Sequence, residues 1–428
     1  MFAGIKGSGE AFKGYRCESC GSIVGMEHPT CPEDGGLLLA EYDMNAVDLA
    51  IRESLASQEG IWRFSPVLPP VGQPITRGEG GTPIHASIKW GNSLGVALYF
   101  KDEGANPSGS FKDRGVAAMF SGLSHDVTTV VVFSSGNAAS SVALYAAATG
   151  VHAVVLMYQG GTTEKTFMTQ AFGASVVSIT ADREGDVYHL SQEVAHRMGW
   201  NLMNTSAIGN PLLIEGYKTL AYELAAQVEN LDVVVVPTAS GALLSGIWKG
   251  FRELRSARIL NQVPRIIGVQ PSGSAPIANA FKRGLHVAPR LDSVPRTIAS
   301  ALTFDDPGAS GQLTLKAVRE SEGAMISVED DELLAAARAL GREEALLVEP
   351  AGAASLAGVI GGVEDGIIRR GETVACVVTG HGLKDVATVR SLHSPPAAIP
   401  ANVDRFMDVY EAQKETGLTE AGRHSNDC

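Results

Sequence analysis

The sequence predicts an α/β protein built on mostly parallel sheets, and two observations carry that prediction. Short β-branched runs recur along the chain, at Val127–Phe133, His152–Met157, Ser175–Ile179, Val233–Pro237, Arg265–Gln270 and Val374–Thr379. Most are apolar at consecutive positions, as strands buried on both faces must be. Between them lie amphipathic or Ala-rich stretches such as Ser140–Ala148, Gly216–Gln227 and Asp331–Leu340. Strand, loop and helix in repetition give parallel strands covered by helices on both faces, and ligands then bind at loops leaving the carboxyl ends of the strands.

The bulk properties narrow the class. A chain of 428 residues has room for two domains and an appendage. Hydrophobic residues at 45% and charged residues at 19% are the balance of a soluble globular protein. A net charge of −13 argues against a nucleic-acid groove or an anionic membrane surface as partner. No apolar run approaches the roughly 20 residues of a membrane span, and the start, MFAGIKGSGEAFKGYRC, lacks a signal peptide's apolar stretch. Five cysteines, three of them within the first 31 residues, are no disulfide framework, so the expected compartment is the cytoplasm.

Those three cysteines stand in an N-terminal segment rich in turn-formers: Cys17-Glu-Ser-Cys20, then Cys31-Pro-Glu-Asp34-Gly-Gly. Two such knuckles normally supply four thiolates to a tetrahedral zinc ion. Here Asp34 holds the fourth position, with His28 nearby as a substitute. A structural Cys3Asp site is unusual, so the expectation is a ribbon-shaped remnant that packs without metal. At the other end, the stretch from about Ser394 is Pro/Ala-rich and then charged, and reads as a tail that wraps the surface or frays.

Three loops after expected strands carry residues that a core would not choose. In Asn106-Pro-Ser-Gly-Ser-Phe-Lys112-Asp-Arg-Gly115, a Pro/Gly turn leads into a helix from about Ser110, which puts Lys112 in the first turn. The helix dipole opposes a cation there and lowers its pKa, which suits a nucleophilic amine, although Asp113 alongside also permits a plain solvated lysine. In Ser134-Ser135-Gly136-Asn137-Ala138-Ala139-Ser140, a tight turn meets a helix N-terminus, as an ordinary cap also would. In Thr238-Ala239-Ser240-Gly241-Ala242-Leu243-Leu244-Ser245-Gly246, small residues let backbone N–H groups converge on an anion; the loop lacks the ending of a Walker motif. His381 reads as a loop spacer and Cys376 as core.

Order and spacing are more specific than any single loop. NPSGSFKDRG, SSGNAAS, the small-residue loop after VVVVP, GVQPSGSAP, VEPAGAAS and VTGHGLKD resemble, in the same order, the fold-type II pyridoxal-phosphate enzymes, from about Gly78 to about Asp385. SFKDRG and TGHGLKD are similar to threonine synthases, and so is the N-terminal ribbon. The resemblance implies two three-layer α/β/α domains with the cofactor between them, a large one at 46–124 plus 201–393 and a small one at 125–200, flanked by the ribbon at 1–45 and an extension at 394–428. It implies a homodimer acting on a small amino-acid substrate.

The resemblance also implies roles. Lys112 forms the Schiff base with pyridoxal 5′-phosphate and shuttles protons. Asn137 bonds the cofactor's 3′-oxygen, and Ala239, Ser240, Gly241, Ala242 and Leu243 hold its phosphate through backbone N–H groups. Thr379 places a hydroxyl at the pyridine nitrogen, while Ser135 and Gly136 lie near the substrate carboxylate. Two departures bear on the substrate: Ala138 stands where many threonine synthases have a hydroxyl, and Leu213 stands where NPxRIEGQKT has Arg. Lys165, Arg183, Asn210 and Lys218 are the polar residues that could substitute. The expected activity is conversion of phosphohomoserine to threonine. The alternatives are elimination or replacement at Cβ of a serine-type substrate such as phosphoserine or O-acetylserine, and a non-catalytic binding relative.

Overall fold

The computed structural model describes residues 11–46, 48–56, 60–134, 136–159 and 163–423. Residues 1–389 form one compact unit and residues 390–428 a second.

Two sheets carry the first unit. One comprises β4 (Ile84–Ala86), β5 (Ala97–Asp102), β10 (Val233–Pro237), β11 (Arg265–Pro271), β12 (Ala324–Val328) and β13 (Thr373–Val378), in the order β12-β11-β10-β13-β5-β4. All its pairings are parallel except that of the edge strand β4. The other comprises β6 (Thr129–Phe133), β7 (His152–Tyr158), β8 (Ser175–Ile179) and β9 (Asn201–Leu202), parallel throughout in the order β8-β7-β6-β9. Val233 to Val236 in β10 are fully buried, which is why that strand shows as an unbroken apolar run. β5 is hidden from sequence reading by Lys101 and Asp102 inside it.

The N-terminal segment is more ordered than its turn-formers suggest. Strands β1 (Phe12–Cys17), β2 (Ile23–Val24) and β3 (Leu38–Tyr42) make an antiparallel ribbon, β2-β1-β3. Tyr15 and Cys17 on one strand and Leu38, Ala40 and Tyr42 on the other alternate inward and form a small core of their own.

Helices α1 (Lys112–Ser121), α2 (Asn137–Thr149), α3 (Thr163–Ala171), α4 (Pro211–Gln227), α5 (Ala242–Ser256), α6 (Gly308–Glu320) and α7 (Pro350–Glu364) matter for the site. α4 starts five residues before the expected Gly216, because Pro211 occupies the first turn and the Asn210 side chain accepts a hydrogen bond from Leu212 N. Glycine lets it approach α1 closely: a Cβ at Gly216 would sit 2.1 Å from Arg114 O.

A buried charge cluster fixes α1 against the sheet and α4. Arg114 is fully buried and donates to both carboxylate oxygens of Glu103, at 2.7 Å, and of Glu223, at 2.8 and 2.7 Å. Lys101 donates to Glu223 at 2.7 Å and to Thr82 O at 2.7 Å. Gly81 N donates to Glu223 at 2.7 Å, so one carboxylate serves four donors.

In the second unit, Val403–Arg423 is helical, capped by the Asn402 side chain accepting from Arg405 N. The helix replaces the fraying expected over 403–423, because the segment beyond Pro400 offers a capping Asn followed by a run of helix-forming residues. No helix among the described residues is long and apolar enough to cross a membrane.

Removing one member of a buried ion cluster strands its partners. Glu223→Ala is expected to destabilise the protein by about 3–5 kcal/mol in urea unfolding; a loss below about 1 kcal/mol would show that Lys101 and Arg114 find other partners.

Candidate active site

β5, β13 and β10 are neighbours and parallel, with Cys376 opposite both Phe100 and Val235. Their carboxyl ends therefore reach one edge of the sheet, and three loops leave there together, at 103–111, 238–241 and 379–382. The sequence placed its candidates on two of these loops and at the start of α1 and α2.

Lys112 is the first residue of α1 and so stands in its first turn, as expected, although the helix begins two residues after Ser110. Its Nζ lies 4.8 Å from the centroid of the Phe111 ring and 5.9 Å from that of Tyr217. Among the described residues it meets no carboxylate and makes no hydrogen bond. Burial pushes its pKa down to about 8. The direction is the expected one, and desolvation is its cause. Asp113 does not neutralise it: its carboxylate accepts from Ser108 N at 2.6 Å and from Ser141 Oγ at 2.5 Å, and burial raises its pKa to about 6. Asp113 thus ties the lysine loop to α2 and leaves the amine unpaired.

Asn137 opens α2. Its Nδ2 donates to Glu349 Oε1, and its Oδ1 is buried with no partner among the described residues. Glu349 also pairs with Lys165, at 2.9 Å. Thr379 is buried and follows β13; its carbonyl accepts from Phe111 N at 3.1 Å. Next to it, Gly380 bridges Ser110, and its own carbonyl accepts from Glu349 N at 3.2 Å. A Cβ at Gly380 would fall 2.4 Å from Glu349 Oε1 and 3.3 Å from Asn137 Nδ2, so the junction of all three segments requires glycine. Lys112, Asn137 and Thr379 are brought together through this junction.

The third loop turns at Gly241, whose φ of +93° is left-handed, and a Cβ there would strike Thr314 Oγ1 at 1.7 Å. Gln270 steadies the approach by donating to Ala239 O at 3.2 Å. Ala242 and Leu243, both buried, begin the 15-residue α5, where the first N–H groups have no carbonyl within the helix to pair with. Such a turn suits a phosphate, and Ser240 stands on its rim, nearly buried. Around Lys112 the buried atoms Asn137 Oδ1, Ser108 Oγ, Ser110 Oγ and Tyr217 OH are orphaned. Buried polar groups demand partners, and a phosphorylated aromatic ligand with ring oxygen and nitrogen supplies them, so these residues fit pyridoxal phosphate.

Other candidates separate clearly. Ser135 lies outside the described residues. Gly136 faces open space: a Cβ there would meet nothing within 4 Å. Ala138 is buried in α2. Leu213 is fully buried against α1, its Cδ1 2.7 Å from where a Cβ of Gly115 would be. Asn210 is occupied as the cap of α4. Lys218 is fully buried with Glu215 at 2.6 Å and Glu253 at 2.9 Å, apart from the three loops. Arg183 pairs with Asp305 and, with Tyr158, Glu184 and Thr303, lines a cavity of about 160 Å³ to which none of the three loops contributes. Lys165 alone of the four reaches the site. His381 caps the short turn after Gly380 through Nδ1, and Cys376 is fully buried in β13.

Sequence reasoning quoted VEPAGAAS and TGHGLKD without assigning Glu349 or Lys384. Lys384 is buried and donates to Ser108 O at 2.8 Å; burial lowers its pKa to about 8, opposed by the nearby charge of Glu349. A carboxylate inside an otherwise small and apolar run was the signal for Glu349.

The family model for pyridoxal-phosphate-dependent enzymes matches residues 75–380. The threonine synthase of Methanosarcina acetivorans is 35% identical over 402 residues, 92% of this chain and 97% of that one. That of Methanocaldococcus jannaschii is 35% identical over 393 residues, 89% and 95% of the two chains. The solved maize serine racemase shares the fold, with a TM-score of 0.61 at 24% identity over 86% of this chain and 98% of that one.

A neutral amine is what captures an aldehyde, so uptake of pyridoxal phosphate by the apoprotein should follow Lys112's lowered pKa. The rate is expected to rise to a plateau just above about pH 8. A rate still climbing at about pH 10, as for an ordinary lysine, would contradict the burial of Lys112.

Proposed function

The chain belongs to the family of pyridoxal-phosphate-dependent enzymes, and on that premise we propose that it is a lyase of the threonine synthase type, converting phosphohomoserine and water to threonine and phosphate. The observation that carries this reading is the nearly end-to-end likeness to threonine synthases, at 35% identity over 92% of the chain. The unpaired amine of Lys112 at the meeting point of the three loops supports it.

The cofactor supplies an aldehyde and an electron-withdrawing ring that weakens bonds at the substrate's Cα. In our reading Lys112 Nζ holds the cofactor and afterwards, through the neutral fraction that its lowered pKa leaves near physiological pH, carries protons among the substrate carbons as phosphate leaves Cγ and water adds at Cβ. Asn137 donates the second N–H of its Nδ2 to the ring oxygen, while Glu349 orients the amide by accepting the first. Residues 239–243 hold the cofactor phosphate at the start of α5. Thr379 meets the ring nitrogen with a hydroxyl, which does not protonate it as a carboxylic acid would; weaker electron withdrawal favours elimination and replacement over transamination. Gly136, with open space before it, and Ser135 receive the substrate carboxylate.

The substrate phosphate needs cations, and Leu213 and Ala138 provide none. We assign it to Lys165, which pairs with Glu349 at 2.9 Å, and to the buried Lys384, which feels the charges of Glu349 and Asp113. The same proposal places the enzyme in the cytoplasm as a homodimer, with a cofactor domain and a smaller one whose end moves from the expected 200 to 202, because β9 pairs with β6.

Equal release of phosphate and threonine from phosphohomoserine, abolished in Lys112→Ala, is the expected result. The apolar Leu213 and Ala138 favour one second reading, serine-type elimination; faster keto-acid release from phosphoserine or O-acetylserine would establish it instead. If Lys165 holds the substrate phosphate, Lys165→Met should raise KM for phosphohomoserine by about ten- to a hundredfold with a smaller change in kcat, and Lys165→Arg should recover part of it. A loss confined to kcat would make Lys165 a positioning residue for Glu349 and Asn137.

A further inference from the structure

The ribbon holds a second constellation that the reaction does not use. Its two knuckles are built alike although their sequences differ. In the first, Gly21 N donates to Cys17 O at 3.0 Å; in the second, Gly35 N donates to Cys31 O at 2.8 Å. Both glycines are left-handed, with φ of +79° and +69°. Each turn therefore presents its first and fourth residues on one side, and Asp34 stands in the second where Cys20 stands in the first.

The four side chains converge. One ligand atom from each of Cys17, Cys20, Cys31 and Asp34 lies within 4.8 Å of all the others. Cys20 Sγ is 3.6 Å from Cys31 Sγ, and Cys17 Sγ is 3.4 Å from Asp34 Oδ1. Tetrahedral zinc, with bonds of about 2.3 Å to sulfur and about 2.0–2.2 Å to oxygen, sets its ligands about 3.4–3.8 Å apart along such edges. Supporting donors are in place: Ser19 N points at Cys17 Sγ at 3.4 Å, and Gly36 N donates to Asp34 Oδ1 at 2.8 Å. A Cβ at Gly36 would fall 2.7 Å from both Cys17 Sγ and Asp34 Oδ1, so glycine is what lets thiolate and carboxylate close together. His28 is not part of the cluster; it pairs with Glu27.

We propose that Cys17, Cys20, Cys31 and Asp34 bind one zinc ion, with Asp34 as the fourth ligand. Against the expectation of a metal-free remnant, which rested on residue type, the matching turns bring the carboxylate to the position of a thiolate. The ion would brace a ribbon that is tied to α6. Glu18, between the first two ligands, accepts from Lys316 at 2.6 Å on α6, the helix whose Thr314 packs under Gly241.

The test is metal content of the full-length holoenzyme after incubation with zinc sulfate and dialysis, together with the spectrum of the cobalt(II)-loaded protein. About one zinc per chain is expected, with tetrahedral cobalt bands and thiolate-to-cobalt charge transfer. Asp34→Cys should intensify that charge transfer, and Asp34→Ala should weaken zinc binding at least about tenfold. Cys20→Ser, at an exposed ligand, should lose the zinc while the unfolding transition of the catalytic unit persists. Wild-type protein that takes up no zinc overturns the proposal, whatever the variants do. So does zinc retained by Cys20→Ser with a cobalt spectrum unchanged by Asp34→Cys.

Discussion

An ammonium group desolvated beside Phe111 and Tyr217, with no carboxylate in reach among the described residues, is unstable in its charged form, and the surroundings of Lys112 are arranged to keep it so. The adjacent Asp113 would be the natural counter-ion, but Ser108 N and Ser141 Oγ hold its carboxylate elsewhere. The next residue, Arg114, is drawn the other way into the Glu103 and Glu223 cluster. Three consecutive charged side chains at the head of α1 therefore point to three different environments. Desolvation then lowers the Lys112 pKa to about 8, where a useful fraction is neutral at physiological pH.

The second dependence is geometric. Gly380 is the point where the exit of β13, the lysine loop and the Glu349–Asn137 pair touch, and no side chain fits there. Because Glu349 N donates to Gly380 O while its carboxylate accepts from Asn137 and pairs with Lys165, a shift of this one junction would move groups from both sheets. Parallel strands make this possible: β5, β10 and β13 deliver their loops to one edge by register alone.

What the sequence showed and hid follows from these physical causes. Strands buried on both faces, such as β10, appear as apolar runs and were legible almost to the residue. β5 was not, because Lys101 inside it is neutralised by Glu223, a partner more than a hundred positions away. Motif order revealed Lys112, Asn137, Thr379 and the loop at 239–243, since each follows a strand or opens a helix. Lys165, Glu349 and Lys384 meet only in the folded chain, and no local pattern announces the meeting. Nor could residue types alone show that Asp113 turns away from Lys112, that Lys218 is spent on Glu215 and Glu253, or that the two ribbon turns bring Cys17, Cys20, Cys31 and Asp34 together.

The central claim is that Lys112, alone among the three lysines gathered here, carries the cofactor. Borohydride reduction of the holoenzyme, followed by digestion and mass spectrometry, locates the resulting pyridoxyl group directly. The account predicts it on the peptide containing Lys112, since Lys165 and Lys384 are engaged with Glu349 and Ser108 O. A pyridoxyl group on Lys165 or Lys384, with Lys112 unmodified, would contradict it.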